Sequence, residues 1–491
     1  SDPLVNRVVQ WCYATVLVVS VLSVYFKREF YFFMSTVSPF TTASQTASPH
    51  NEYRLYDFTF WSVYLANFLL VTANALLFRF GDFVVFLGGT TGTAGKIVSF
   101  GMLGSVLLRL TMGRCIDRHG PKHVWMASAL LFIVACLAFI PIQGLGLSVY
   151  IARLMMSVSL AGMFTCSFVF ISAHAPVERR AELIGILGTS GLFGMIIGPN
   201  ISDLLFRYMG TGHQTFSALF ILSASIGCVY LVLSWFITRK ANPVEPEKDG
   251  STLQILTKYW PGSLMLVALT MGFAQTVPQT FLSLFVHRQG ISGIGIFFLC
   301  YAITAFAVRV IGRRWPEHIG RENAVLIGLI ATAVSMLLYL PAHSDLTIIA
   351  PAMAAGVAHA ILFPCTISLG ADSFPDRYRG TGMTLMLGMT ELGIVFGGHS
   401  LGSIVDLWGF RVMFACLACI ALSVSIVYAV SIRRHQPTKT APHQSSPSTV
   451  LPLPPVQTLE LSTVRLKKQT RAERPSQTQL DPVTLTRNSS P

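Results

Sequence analysis

The chain has 491 residues, of which 52% are hydrophobic and only 12% charged, and its mean hydropathy is +0.60. A water-soluble domain carries about 25% charged residues, so an ordinary soluble fold is excluded. The formal net charge of +13 would suit a nucleic-acid partner, but the basic residues sit in short clusters between apolar runs and in the tail after Arg433. That distribution argues against nucleic acid and for a lipid bilayer.

The first apolar stretch, residues 8–26, fits either a thirteenth helix or an uncleaved signal-like segment. No small-residue cleavage site follows it; Lys27, Arg28 and Glu29 do. Translation from Met34 is the simpler account, and residues 1–33 are expected to lie outside the working fold, within an N-terminal extension of residues 1–56. Twelve membrane spans are then expected, near 58–86, 94–113, 123–141, 147–173, 182–206, 216–238, 262–286, 294–312, 323–341, 347–371, 381–405 and 411–432. Continuous apolar runs without alternation indicate helices and exclude a β-barrel. The segment after Arg239 is polar and carries Pro243 and Pro246, so residues 239–261 read as a linker between bundles at 57–238 and 262–432. Residues 433–491, rich in Pro, Ser, Thr and Gln, read as a disordered tail.

Arginine, lysine and loop position are correlated. Arg114, Arg118 and Lys122, then Arg179 and Arg180, Arg239 and Lys240, Arg313 and Arg314, and Arg377 and Arg379 fall in alternate loops, whereas residues 141–146 and 341–345 carry neither residue type. By the positive-inside rule the basic loops, and both ends of the twelve-helix core, are expected in the cytoplasm of a cell (inner) membrane. The nine cysteines lie mostly inside apolar runs, where they read as small packing residues. The pair Cys416 and Cys419 has redox-motif spacing in a membrane-helix setting.

The two halves also repeat. Arg109 falls on Arg309, Asp117 on Glu317, Gly120 on Gly320, Gly95 on Gly295, Gly188 on Gly388 and Gly198 on Gly398. A duplicated membrane half points to a secondary transporter with its substrate site between the repeats. The sharper copy, Gly113-Arg114-Cys115-Ile116-Asp117-Arg118-His119-Gly120-Pro121-Lys122, resembles the loop between helices 2 and 3 of the major facilitator superfamily, Gly-x-x-x-Asp-Arg-x-Gly-Arg-Lys. It matches at Gly113, Asp117, Arg118, Gly120 and Lys122; the second copy, with Arg309, Glu317 and Gly320, is degenerate. Span 5 resembles the helix-5 signature of proton-exchanging exporters, with Gly194, Gly198 and Pro199 matching and Ser202 and Asp203 in place of the last glycines. The run around Arg109 looks like the drug and metabolite efflux branch.

The resemblance implies an all-α polytopic membrane protein: twelve transmembrane helices in two pseudo-symmetric six-helix bundles that rock about a midplane site. It implies that the loop of Gly113, Asp117, Arg118 and Gly120, with Arg309, Glu317 and Gly320, is a conformational latch, and that Gly194, Gly198 and Pro199 form a packing motif. Spans 1, 4, 7 and 10 line the cavity in that family. Substrate candidates are therefore Asn67, Asn74, Arg79, Arg153, Gln275, Gln279 and His359. Glu391, a carboxylate inside span 11 where the other half has Gly191, is a proton-coupling candidate with Arg153 and His359. Arg153 matches a family arginine associated with coupling, but Met156, Ser157, Val158 and Ser159 replace its expected continuation.

The expected function is alternating-access transport of a small organic solute, with proton-coupled export favoured and a monomer as the working unit. Uptake of a small organic anion or sugar by a symporter or facilitator stays open, as does a non-transporting membrane receptor on the same fold. No enzyme, cofactor or metal site is expected: the chain has no nucleotide-binding Gly-x-x-x-x-Gly-Lys-Ser/Thr, and the glycine-rich Gly88–Thr93 lacks the lysine.

Overall fold

The computed structural model describes residues 56–174, 180–239, 258–312, 315–375 and 378–435. Residues 1–33, most of the linker and most of the tail lie outside them. Among the described residues all regular structure is helical. Eight helices are long and apolar enough to cross a membrane. One of these, Thr381–Arg433, carries spans 11 and 12 and breaks at Gly409, whose φ of 82° a side chain would disfavour. The shorter apolar helices Lys122–Ala138 and Gly295–Ile311 supply spans 3 and 8, and Arg180–Met209 supplies span 5, so the twelve expected spans are all represented.

Local chemistry sets the helix ends. Span 1 begins where the Asp57 carboxylate accepts the Phe60 amide at 2.8 Å, and span 2 where the Thr90 hydroxyl accepts that of Thr93 at 3.1 Å. Gly320, with φ of 85°, precedes the helix Arg321–Leu338 in a conformation suited to glycine. Spans 2 and 3 form one helical run, Thr91–Ala138, that doubles back on itself: Phe139, just beyond its end, packs 6.0 Å from Phe83, just before its start. Spans 1 and 7 are irregular. Span 1 tightens to a 3-10 turn at Leu77–Arg79, and span 7 widens to a π turn at Val277–Phe281, where Pro278 has no amide to donate.

Packing then brings the halves together. Within the first half Trp125 donates to the Tyr230 hydroxyl at 2.5 Å, both fully buried between spans 3 and 6. Across the halves, Phe78 and Phe298 meet with ring centroids 4.9 Å apart. Spans 2 and 11 pack backbone to backbone: a side chain on Gly95 would strike the Gly398 carbonyl, and Ser99 Oγ donates to the Val395 carbonyl at 2.6 Å. This close approach places the polar residues farther along spans 2 and 11 within reach of one another.

Candidate functional site

The central polar contact is an ion pair between the halves. Arg109 Nη2 in span 2 donates to Glu391 Oε1 in span 11 at 2.5 Å, and the side chains are 10% and 12% exposed. Ser105 Oγ donates to Glu391 Oε2 at 3.1 Å, and Arg109 Nη1 donates to Thr165 Oγ1 of span 4 at 3.2 Å. Arg109 Nε has no partner among the described residues. Each group has a reason to be where it is. The carboxylate is held by two donors on one turn-spaced face of span 2, while the guanidinium reaches back to span 4. Breaking such a buried pair costs about 3–5 kcal/mol, because the remaining charge stays desolvated.

Its repeat partner is different. Arg309 lies beside Gly188 of span 5, where a Cβ would be 3.9 Å from Nη1, and Arg309 Nε is without a partner among the described residues.

A second charged cluster lies nearer the face that carries residues 141–146 and 341–345. Arg79 donates through Nη2 and Nε to Asp203 Oδ1 at 2.5 and 3.1 Å, and through Nη1 to Asp82 Oδ2 at 3.1 Å. The Phe206 ring covers its guanidinium at 4.4 Å. Arg79 is thus engaged by two carboxylates. Arg153 sits over the Phe80 ring at 4.5 Å, against Gly101, with its Nε unpartnered among the described residues.

The second half forms a small, partly open cavity of about 50 Å³, lined among others by Gln275, Tyr301, Thr332, Ser335, His359 and Leu362. The structure brings together Gln275 and His359 here, with the Tyr301 ring 5.7 Å from the His359 ring and Phe363 stacked on its other side at 5.4 Å. Gln279 is half-buried in the π turn and does not line this cavity. In the first half Asn67 is buried and donates to Ser190 Oγ at 2.7 Å, tying span 1 to span 5, while Asn74 is half-buried. Gly194 and Gly198 lie against the Thr72 backbone of span 1, where a side chain would collide, and Pro199 sits inside an unbroken helix. The side chains of Asp117, Arg118 and Glu317 lie outside the described residues, so of the latch the structure describes the helical backbone, Arg309 and Gly320. Among the described residues no cluster of His, Cys, Asp or Glu could hold a metal ion.

Residues 56–315 and 291–473 match the family described as Major Facilitator Superfamily. The chain belongs to this superfamily. As a major facilitator protein it is a membrane-embedded secondary transporter of a small molecule, not an enzyme. Its relatives include the staphylopine export protein of Staphylococcus aureus, 24% identical over 392 residues that cover 75% of this chain and 94% of the relative. Multidrug resistance protein 1 of Bacillus subtilis is 25% identical over 359 residues, 71% of this chain and 90% of the relative. The fold resembles that of the peptide transporter POT in complex with sulfate, with TM-score 0.65, 12% identity, and 77% and 94% of the two chains covered. The nucleoside transporter NupG gives 0.60 at 13% identity, with 77% of this chain and 100% of the other covered.

Sequence reasoning overlooked four site residues. Asp82 has a signal, its spacing from Arg79 on one helix face. Asp203 appeared only as a departure from a glycine motif. Arg109 was visible as a repeated arginine but not as the partner of Glu391. Tyr301 carries no signal inside an aromatic-rich apolar run.

Proposed function

We propose that this transporter exports a small organic solute in exchange for protons, with Arg109 and Glu391 as the coupling pair. The observation that carries the reading is the buried ion pair between spans 2 and 11. It joins the two halves, and one of its members can take up a proton. The names of the relatives, an export protein and a multidrug resistance protein, support the direction. By the positive-inside rule the basic loops support a cytoplasmic position for the Arg109 end of span 2.

The chemistry follows from charge. With Glu391 ionised, two donors and a guanidinium hold spans 2 and 11 together. Protonation removes the attraction and leaves Arg109 buried beside a neutral acid, an arrangement disfavoured by about the 3–5 kcal/mol of a broken buried pair. Separation of the spans lets water reach Arg109 and opens this end. Loss of the proton restores the pair and closes it. Gln275, Tyr301 and His359, with Thr332 and Ser335 beside them, are the polar groups offered to the solute at the cavity of the second half, which has to widen from about 50 Å³ to admit a small organic molecule.

The test is accumulation of a panel of amphipathic compounds and organic acids in cells with and without the protein. Lower accumulation that a protonophore abolishes, and that Glu391→Gln also abolishes, is expected. Unchanged protonophore-sensitive export by Glu391→Gln would remove Glu391 from the coupling role. Higher accumulation would reverse the direction.

A further inference from the structure

On the face that carries residues 141–146 and 341–345, two helices begin against a carboxylate from the opposite half. Span 8 starts at Gly295, whose amide donates to Asp203 Oδ2 of span 5 at 2.6 Å. Span 2 starts at Thr91; the Gly92 amide donates to Asp406 Oδ2 of span 11 at 3.0 Å, and Thr90 Oγ1 donates to the same oxygen at 2.6 Å. The step from Asp203 to Asp406 equals the step from Gly92 to Gly295, three residues more than the step that aligns Arg109 with Arg309. The two contacts are thus alike in form, each set off from the repeat register by the same three residues. In both copies an acid meets the unsatisfied amides and positive dipole end of a helix it does not belong to.

The receiving residues are glycines for a steric reason. A Cβ on Gly92 would collide with Asp406 Oδ2, one on Gly293 with Asp203 Oδ2, and one on Gly295 would lie 2.5 Å from Asn200 Oδ1 and 3.0 Å from Asp203 Oδ2. Each acid is thus seated against backbone, where only a small residue leaves room. The Asp203 copy is also held from behind: Arg79, in its own half, grips the carboxylate through two nitrogens and keeps it aimed at span 8. Among the described residues the Asp406 copy has the neutral donors Thr90 and Gly92.

We propose that Asp203 and Asp406 are paired locks that hold this face of the transporter shut. Each caps a helix of the opposing half in the closed state and lets go of it when the halves rock apart on this side. Arg79 is the positioning residue of the first lock. The inference rests on alternating access of the family and is independent of transport direction and of the coupling ion.

Distances between the halves test it without a substrate. Gln143 and Leu346 are exposed in non-basic connections of the two halves, after spans 3 and 9. Both are changed to cysteine and spin-labelled, with native cysteines replaced by serine, and read by double electron–electron resonance. Asp203→Ala and Asp406→Ala are each expected to raise the long-distance population about fivefold, the effect of losing one helix cap. Gly295→Ala and Gly92→Ala keep both acids and displace them, and so should shift the distances the same way even if an alanine in place of an aspartate impairs folding. Distributions identical to wild type in all four variants would overturn the locks. A shift confined to one copy would overturn their pairing.

Discussion

The interface of spans 2 and 11 and that of spans 5 and 8 are two copies of one arrangement. At the non-basic end they agree: an aspartate of one half meets the first amides of a helix in the other. Farther along they part. Arg109 meets Glu391, whereas Arg309, in the same register of its own half, faces Gly188. The duplication has kept the neutral-to-acid helix cap on both sides and the intramembrane ion pair, among the described residues, on one. A cap that closes a face works best when both interfaces engage together. A group that takes up a proton needs to be only in one place, and a second buried pair would add a desolvation cost.

The largest effect should come from reversing one charge of the pair. Arg109→Glu puts two carboxylates in contact, and its initial efflux rate in vesicles should fall at least about 100-fold, the equivalent of some 3 kcal/mol. The double exchange Arg109→Glu with Glu391→Arg should recover much of the loss. Failure to recover while the protein remains folded would argue against direct pairing. Arg109→Lys keeps the charge but cannot serve Glu391 and Thr165 at once; a loss of about 10-fold is expected in the same assay.

The other interface can be made more like the first. Gly188→Asp brings a carboxylate within reach of Arg309 and should slow turnover, since the halves then part against two attractions. Unchanged turnover would mean that Arg309 is not available for pairing. The smallest effect concerns Asp345, outside the spans, whose carboxyl is held below its usual range by the hydroxyl and amide of Ser292. A depressed carboxyl favours the fold above its unfolded pKa, and that contribution disappears as pH falls through the folded value. Ser292→Ala should therefore lower Tm slightly at neutral pH, with the difference from wild type vanishing in acid.

Much of the fold is legible in the chain because membrane spans announce themselves as long apolar runs, and because repeated arginines and glycines align the halves. Glu391 is legible for the same reason: a carboxylate inside such a run is conspicuous. Its partner is not, since Arg109 and Glu391 meet only after spans from different halves pack glycine against glycine. Arg79 illustrates the converse. On its own it reads as a cation facing a cavity, and only the fold shows that Asp203 and Asp82 take up its donors. Asn67 likewise reads as a substrate contact, yet its amide joins two helices of one bundle. Asp406 went unnoticed because its partner is a backbone amide, which leaves no mark in the sequence.

The most direct test of the account is proton movement itself. Purified protein in liposomes loaded with a pH dye, given an outward gradient of a transported solute from the cell panel, should move protons opposite to the solute in wild type. Glu391→Gln should bind the solute and move no protons. Equal proton flux in Glu391→Gln and wild type would contradict the central claim that the ion pair of spans 2 and 11 couples transport.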